Sequence, residues 1–114
     1  MGPSAPPGLP PELADLPWEL PYSFLGLDEV GGAFESSAGV ILPVPYESTT
    51  SWGSGTRRGP RAIIESSRHV ELHDQEFDYE PGSVVGVHTL PSLELTRAGP
   101  EPAMKELGRA YGRV

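Results

Sequence analysis

Residues 40–67 read VILPVPYESTTSWGSGTRRGPRAIIESS, and the fold class turns on them. Val40-Ile41-Leu42-Pro43-Val44 is a continuous apolar stretch without polar alternation, the pattern of a strand covered on both faces, as parallel strands are. Pro43 and Pro45 cannot donate to a ladder, so the strand is expected to be near its end there and to enter a loop. That loop, residues 46–59, is long and polar. Pro60 then suits the first position of a helix, where its missing N–H costs nothing. Ala62, Ile63 and Ile64 supply a short apolar face to that helix.

Working outward, residues 69–80 form an acidic, mixed connection, and Ser83-Val84-Val85-Gly86-Val87-His88-Thr89-Leu90 reads as a second strand. Gly99-Pro100-Glu101 marks a second helix start, with Pro and Glu suited to a first turn. Ala103, Met104, Leu107, Ala110 and Tyr111 recur at spacings that place them on one apolar face. Strand, loop, helix, strand, helix is an α/β alternation. Two such strands and two helices cannot enclose a core, because strands apolar on both faces need covering layers and paired edges. The body, residues 22–114, is therefore expected to be the opening part of a larger α/β domain, with a further strand due soon after Val114.

Residues 1–21 form a proline-rich N-terminal arm that holds seven of the 14 prolines and can build no long element. Leu13, Leu16, Trp18 and Leu20 leave two readings open, a floppy leader or an arm whose Trp18 docks on the chain or a neighbour. Phe24-Leu25-Gly26-Leu27 is a short apolar plug before an acidic, glycine-rich loop.

Sixteen acidic against eight basic residues give a formal charge of -8, which argues against nucleic acid and against a polybasic membrane anchor. The absence of cysteine excludes disulfides, thiolate metal sites and cysteine nucleophiles. No apolar stretch approaches a membrane span, and the N-terminus lacks the features of a secretory signal, so a cytoplasmic protein is expected.

The chemistry-bearing candidates are few. Gly53, Gly55 and Gly59 with Arg57, Arg58 and Arg61 form a glycine-rich, cationic turn before a helix. It has three readings: a phosphate cradle, glycines that only shape the turn, or a rim touching a small substrate at the C-terminal end of a strand. A P-loop needs Lys and Ser or Thr after its last glycine, whereas Gly59 precedes Pro60, and a dinucleotide fingerprint needs glycine where Arg58 stands. His69 and His73 are four apart, but Val70 follows His69 where the zinc helix has glutamate. Asp74, Glu76, Asp78 and Glu80 read as a solvated acidic loop, and His88 as a satisfied strand histidine.

Residues 40–67 resemble the N-terminal part of the agmatinase/arginase (ureohydrolase) family, its agmatinase branch in particular. Three stretches carry the likeness: ILPVPYE, STTSWGSGTRRGP and PRAIIESS with HVELHDQE after it; VGVHTLPSLE supports it. The likeness extends over residues 24–114. It implies a three-layer α/β fold around a mainly parallel sheet, and hydrolysis of a small guanidino substrate, in agmatinases agmatine to putrescine plus urea. It further implies two Mn2+ ions that activate a bridging water, and a homo-oligomer, trimer or hexamer. The family's Gly-Gly-Asp-His, Asp-x-His-x-Asp and Asp-x-Asp motifs are absent, so no catalytic residue and no metal ligand can be assigned here. Ser48, Thr50 and Trp52 are what the resemblance implies as substrate-binding rim residues. Other substrates (guanidinobutyrate, formiminoglutamate) and a non-catalytic truncated chain that only associates with a partner stay open.

Overall fold

The computed structural model describes residues 5–114. Two three-residue strands, β1 (Gly39–Ile41) and β2 (Val87–Thr89), pair in parallel with Val40 opposite His88. Three helices accompany them: α1 (Gly59–Ser67), α2 (Pro81–Val85) and α3 (Pro100–Tyr111). The expected strand, helix, strand, helix alternation is present. No helix among the described residues is long and apolar enough to cross a membrane.

The second strand is shorter than its sequence suggests. Ser83, Val84 and Val85, read as strand, lie in α2. Proline at the start of α2 presets a helical φ, and Gly86 at φ 77° stops the helix. The carbonyls of Val85 and Gly86, freed at that stop, both accept the Ala38 N–H at 3.1 Å, and Gly86 also accepts the Gly39 N–H at 3.2 Å. The helix terminus thereby sets where β1 begins. Pairing continues past the strands, since Ile41 accepts from Leu90 and Pro43 accepts from Leu93, each at 2.9 Å. Gly39, Ile41 and Pro43 thus turn their backbone groups toward β2, and Val40 and Leu42 turn theirs away.

Both strands are only half-buried along their length, not covered on two faces as the apolar sequence implies. The buried apolar residues among the described ones are Leu27, Pro43, Ile64, Leu95 and Ala103. Gly59 rather than Pro60 opens α1, which buries Ile64 at 2% exposure and leaves the adjacent Ile63 at 63%. Ile63, Leu42, Val44 and Pro60 border an open apolar groove of about 230 Å³ beside β1. The expected apolar face of α3 splits the same way, with Ala103 buried and Met104 and Tyr111 exposed.

The segment before β1 closes the other side of the pair. The Phe24 N–H donates to Thr89 Oγ1 at 2.8 Å, and His88 Nδ1 donates to the Gly32 carbonyl at 2.6 Å. Leu25, at φ 65°, is held in that left-handed conformation through its N–H, which donates to the buried Ser67 Oγ at 2.8 Å. Ser67 Oγ in turn donates to the Ile64 carbonyl at 2.6 Å. One hydroxyl therefore ties α1 to the turn at Phe24–Gly26. Ser67→Ala strands the Leu25 N–H and is expected to cost about 1–3 kcal/mol, read as a lowered urea midpoint with unchanged slope. In the arm, Trp18 Nε1 donates to the Leu13 carbonyl at 2.8 Å, and Arg68 Nη2 donates to the Leu20 carbonyl at 2.7 Å. The indole thus bonds within the arm, while Arg68 links the arm to the end of α1.

Candidate functional site

The loop that leaves β1 and enters α1 lies at the C-terminal end of a parallel strand, where open α/β sheets bind their ligands. Its organising group is Glu47. One carboxylate oxygen accepts the Gly55 N–H at 2.6 Å and the Thr56 N–H at 2.7 Å, and the other takes the Arg57 guanidinium at 2.8 Å. The Glu47 side chain is 7% exposed and Arg57 48%. The backbone reaches this arrangement through glycine, with Gly53 at φ 68° and Gly55 at φ 125°, conformations a side chain at Cβ would resist. A short turn at Thr56–Arg58 then runs directly into α1.

This geometry bears on the readings of the glycine-rich turn. Two amides of the turn before α1, those of Gly55 and Thr56, are donated to Glu47. At those two amides the protein supplies its own anion. Gly53 and Gly55 do shape the turn, whereas Gly59 is an ordinary helical residue at φ -56°.

The same bonds hold the Glu47 carboxyl below the usual carboxylate range. The Gly55 N–H does most, partial covering of the group works against it, and the Thr56 N–H and Arg57 charge add to the lowering. A lowered folded-state pKa contributes order that is complete above the ordinary carboxylate pKa and is lost as pH falls through the lowered value. The Gly55 and Thr56 amide resonances are therefore expected to stay fixed from neutral pH to mildly acidic pH. Below the ordinary carboxylate range they should move together, with one titration read by two-dimensional NMR.

Ser48, Thr50 and Trp52 all lie on the outer part of this loop and are exposed, Trp52 at 93%. The structure gives the three no mutual hydrogen bond and no other side-chain partner among the described residues. They are brought onto one loop, and not into one pocket. The cavity at the strand ends, about 320 Å³, is lined by Tyr46, Glu47, Arg57, Leu93, Glu94 and Arg97 among others, so the loops following both strands contribute to it. A larger cavity of about 820 Å³ lies on the arm side of β2, between Trp18, Tyr22, Leu27 and His88.

The histidines do not converge. His73 Nε2 lies 3.3 Å from Asp78 Oδ1 at the surface, and His88 is engaged by Gly32 with Phe34 set edge-on at 5.3 Å. Asp74 Oδ1 accepts the N–H groups of Glu76 and Phe77, which folds the acidic segment into a local turn. Among the described residues no three His, Asp or Glu side chains come together to hold a metal ion. The dimanganese centre implied by the resemblance does not fit this set of side chains.

Sequence reasoning singled out the loop and overlooked Glu47. Its partners lie eight to ten residues away, outside any local capping pattern. The available signal was the loop's one carboxylate, at its start, with Arg57 and Arg58 near its far end.

Residues 37–114 match the sequence profile of the arginase family. A relative from Synechocystis sp., named N(1)-aminopropylagmatine ureohydrolase, is 34% identical over 73 residues, 64% of this chain and 24% of its own. Relatives of the same name from two Thermus thermophilus strains are 40% and 42% identical over 60 and 55 residues. Those stretches cover 53% and 48% of this chain and 20% and 18% of the relatives. The chain thus spans a quarter or less of the curated relatives it matches. No solved structure gives a significant match.

Proposed function

Since this chain belongs to the arginase family, we propose that it is the N-terminal segment of a manganese-dependent ureohydrolase acting on a guanidinoalkylamine. The match of residues 37–114 carries the reading, and the parallel β1–β2 pair with its loop at the C-terminal end supports it. The reaction adds water across the guanidinium carbon and releases urea and an amine. From agmatine the amine is putrescine. The relatives' names favour agmatine carrying an N(1)-aminopropyl group, whose amine product is a longer polyamine. In this reading the metal ligands come from polypeptide outside these 114 residues. The sheet grows across β1, where Val40 and Leu42 turn their backbone groups outward beside the open groove. Ser48, Thr50 and Trp52 lie at the mouth of the completed site, and the enzyme is a cytoplasmic homo-oligomer.

The test is urea release by the polypeptide of the full reading frame, supplied with Mn2+. Agmatine and N(1)-aminopropylagmatine are expected to be substrates, guanidinobutyrate markedly poorer, and the 114-residue segment alone inactive. Urea from none of the guanidino compounds would remove the proposal.

A further inference from the structure

We propose that Glu47 is a positioning residue of the ureohydrolase, the single group that holds the β1–α1 loop in a substrate-ready shape. The inference rests on the functional reading above and assigns a role that the resemblance does not. Residues 48–54 make no hydrogen bond among the described residues. Both ends of this stretch are fastened by one carboxylate, through the Gly55 and Thr56 amides and the Arg57 guanidinium. Gly53 and Gly55 remove any intrinsic preference of the backbone for this path. Without Glu47 the loop has nothing to define it.

The arrangement also bears on what the loop can recognise. The Gly55 and Thr56 amides are spent on Glu47 and are not left for a carboxylate or phosphate on the substrate. The exposed groups of the loop include the hydroxyls of Ser48 and Thr50, the Arg58 guanidinium and the bare indole of Trp52, exposed at 93%. Hydroxyl oxygens accept from N–H donors, and an indole face attracts a guanidinium or ammonium group. Glu47 pairs with Arg57, and Arg58 beside it leaves the loop with one net positive charge. Glu47 acts on these groups by fixing the path of the loop that carries them.

A loop that must be reordered by the substrate weakens ground state and transition state alike, which raises KM and spares kcat. In the enzyme of the full reading frame, Glu47→Ala is expected to raise KM for the guanidino substrate by about tenfold or more, with kcat within about threefold. Glu47→Gln keeps a carbonyl oxygen for the two amides and loses the charge, so its KM should rise less, by about three- to fivefold. It also carries the test should the alanine variant fail to fold. Trypsin supplies a readout independent of turnover, because Arg57 and Arg58 sit at the end of the loop. Cleavage there, followed by mass spectrometry, should accelerate in Glu47→Ala while cleavage at Arg109 is unchanged. An active parent whose variants keep the parental KM, or lose kcat at constant KM, overturns the role of Glu47. An inactive parent overturns the functional reading on which it rests, and unchanged cleavage at Arg57 and Arg58 overturns the tether itself.

Discussion

Ile64→Ala is expected to destabilise the protein by about 2–5 kcal/mol, while Ile63→Ala, one residue away, is nearly silent in the isolated segment. Ile64 is 2% exposed and is the largest fully buried side chain among the described residues, so its loss leaves a cavity that few neighbours can fill. The buried apolar set is otherwise Leu27, Pro43, Leu95 and Ala103, and Ser67, which links α1 to the turn at Phe24–Gly26, donates to the carbonyl of Ile64 itself. A folded domain rarely holds more than about 5–15 kcal/mol in total, so this one truncation consumes a large share of it. Ile63 sits 63% exposed over the groove beside β1, where truncation in the segment removes little contact. In the polypeptide of the full reading frame the two variants should converge, because the proposed larger sheet covers that groove. Thermal and urea unfolding of both variants in both contexts checks the pair. An Ile63→Ala variant as silent in the long polypeptide as in the segment would show that nothing packs on α1 from that side.

That contrast also explains what the sequence made legible. Periodicity and apolar character report the burial a residue has in its completed fold, so Val40, Ile41 and Leu42 read as fully covered although the segment leaves them half-buried. The same holds for Met104 and Tyr111 on α3, apolar by spacing and exposed here. Punctuation was read more truly where it was used. Pro60 and Pro100 marked the starts of α1 and α3 to within a residue, because proline acts through local sterics that no tertiary contact is needed to express. Pro81 and Gly86 bracket α2 in the same way, but the β-branched Val84 and Val85 between them read as strand. The family resemblance was legible because it rests on a long stretch of agreement, and the match over residues 37–114 bears it out. Glu47 was not legible, since its function is a contact made across eight to ten residues by a loop whose path only the folded backbone defines.

Gly86→Ala is expected to be the most damaging glycine substitution in the chain, and Gly108→Ala among the most benign. Gly86 adopts φ 77° with ψ 127°, outside the range that side chains tolerate, and the strain alone is on the order of 1–3 kcal/mol. Space compounds it: a Cβ there would sit 3.1 Å from Ser37 Cα and 3.4 Å from the Ser36 carbonyl oxygen. Those atoms belong to backbone and cannot simply rotate away, so the chain itself must shift, at a cost of about another 1–3 kcal/mol. The shift falls on the worst place, because the Gly86 carbonyl accepts the Ala38 and Gly39 N–H groups that start the β1–β2 register. Destabilisation should therefore be accompanied by loss of hydrogen-exchange protection at Ala38 and Gly39 ahead of the amides within α3. Gly108 lies inside α3 with open space where its Cβ would go, and alanine there should stabilise by about 0.5–1 kcal/mol through helix propensity. Thermal unfolding and amide exchange of the two variants check the pair. Equal effects would mean that the left-handed bend at Gly86 is not what joins α2 to the sheet.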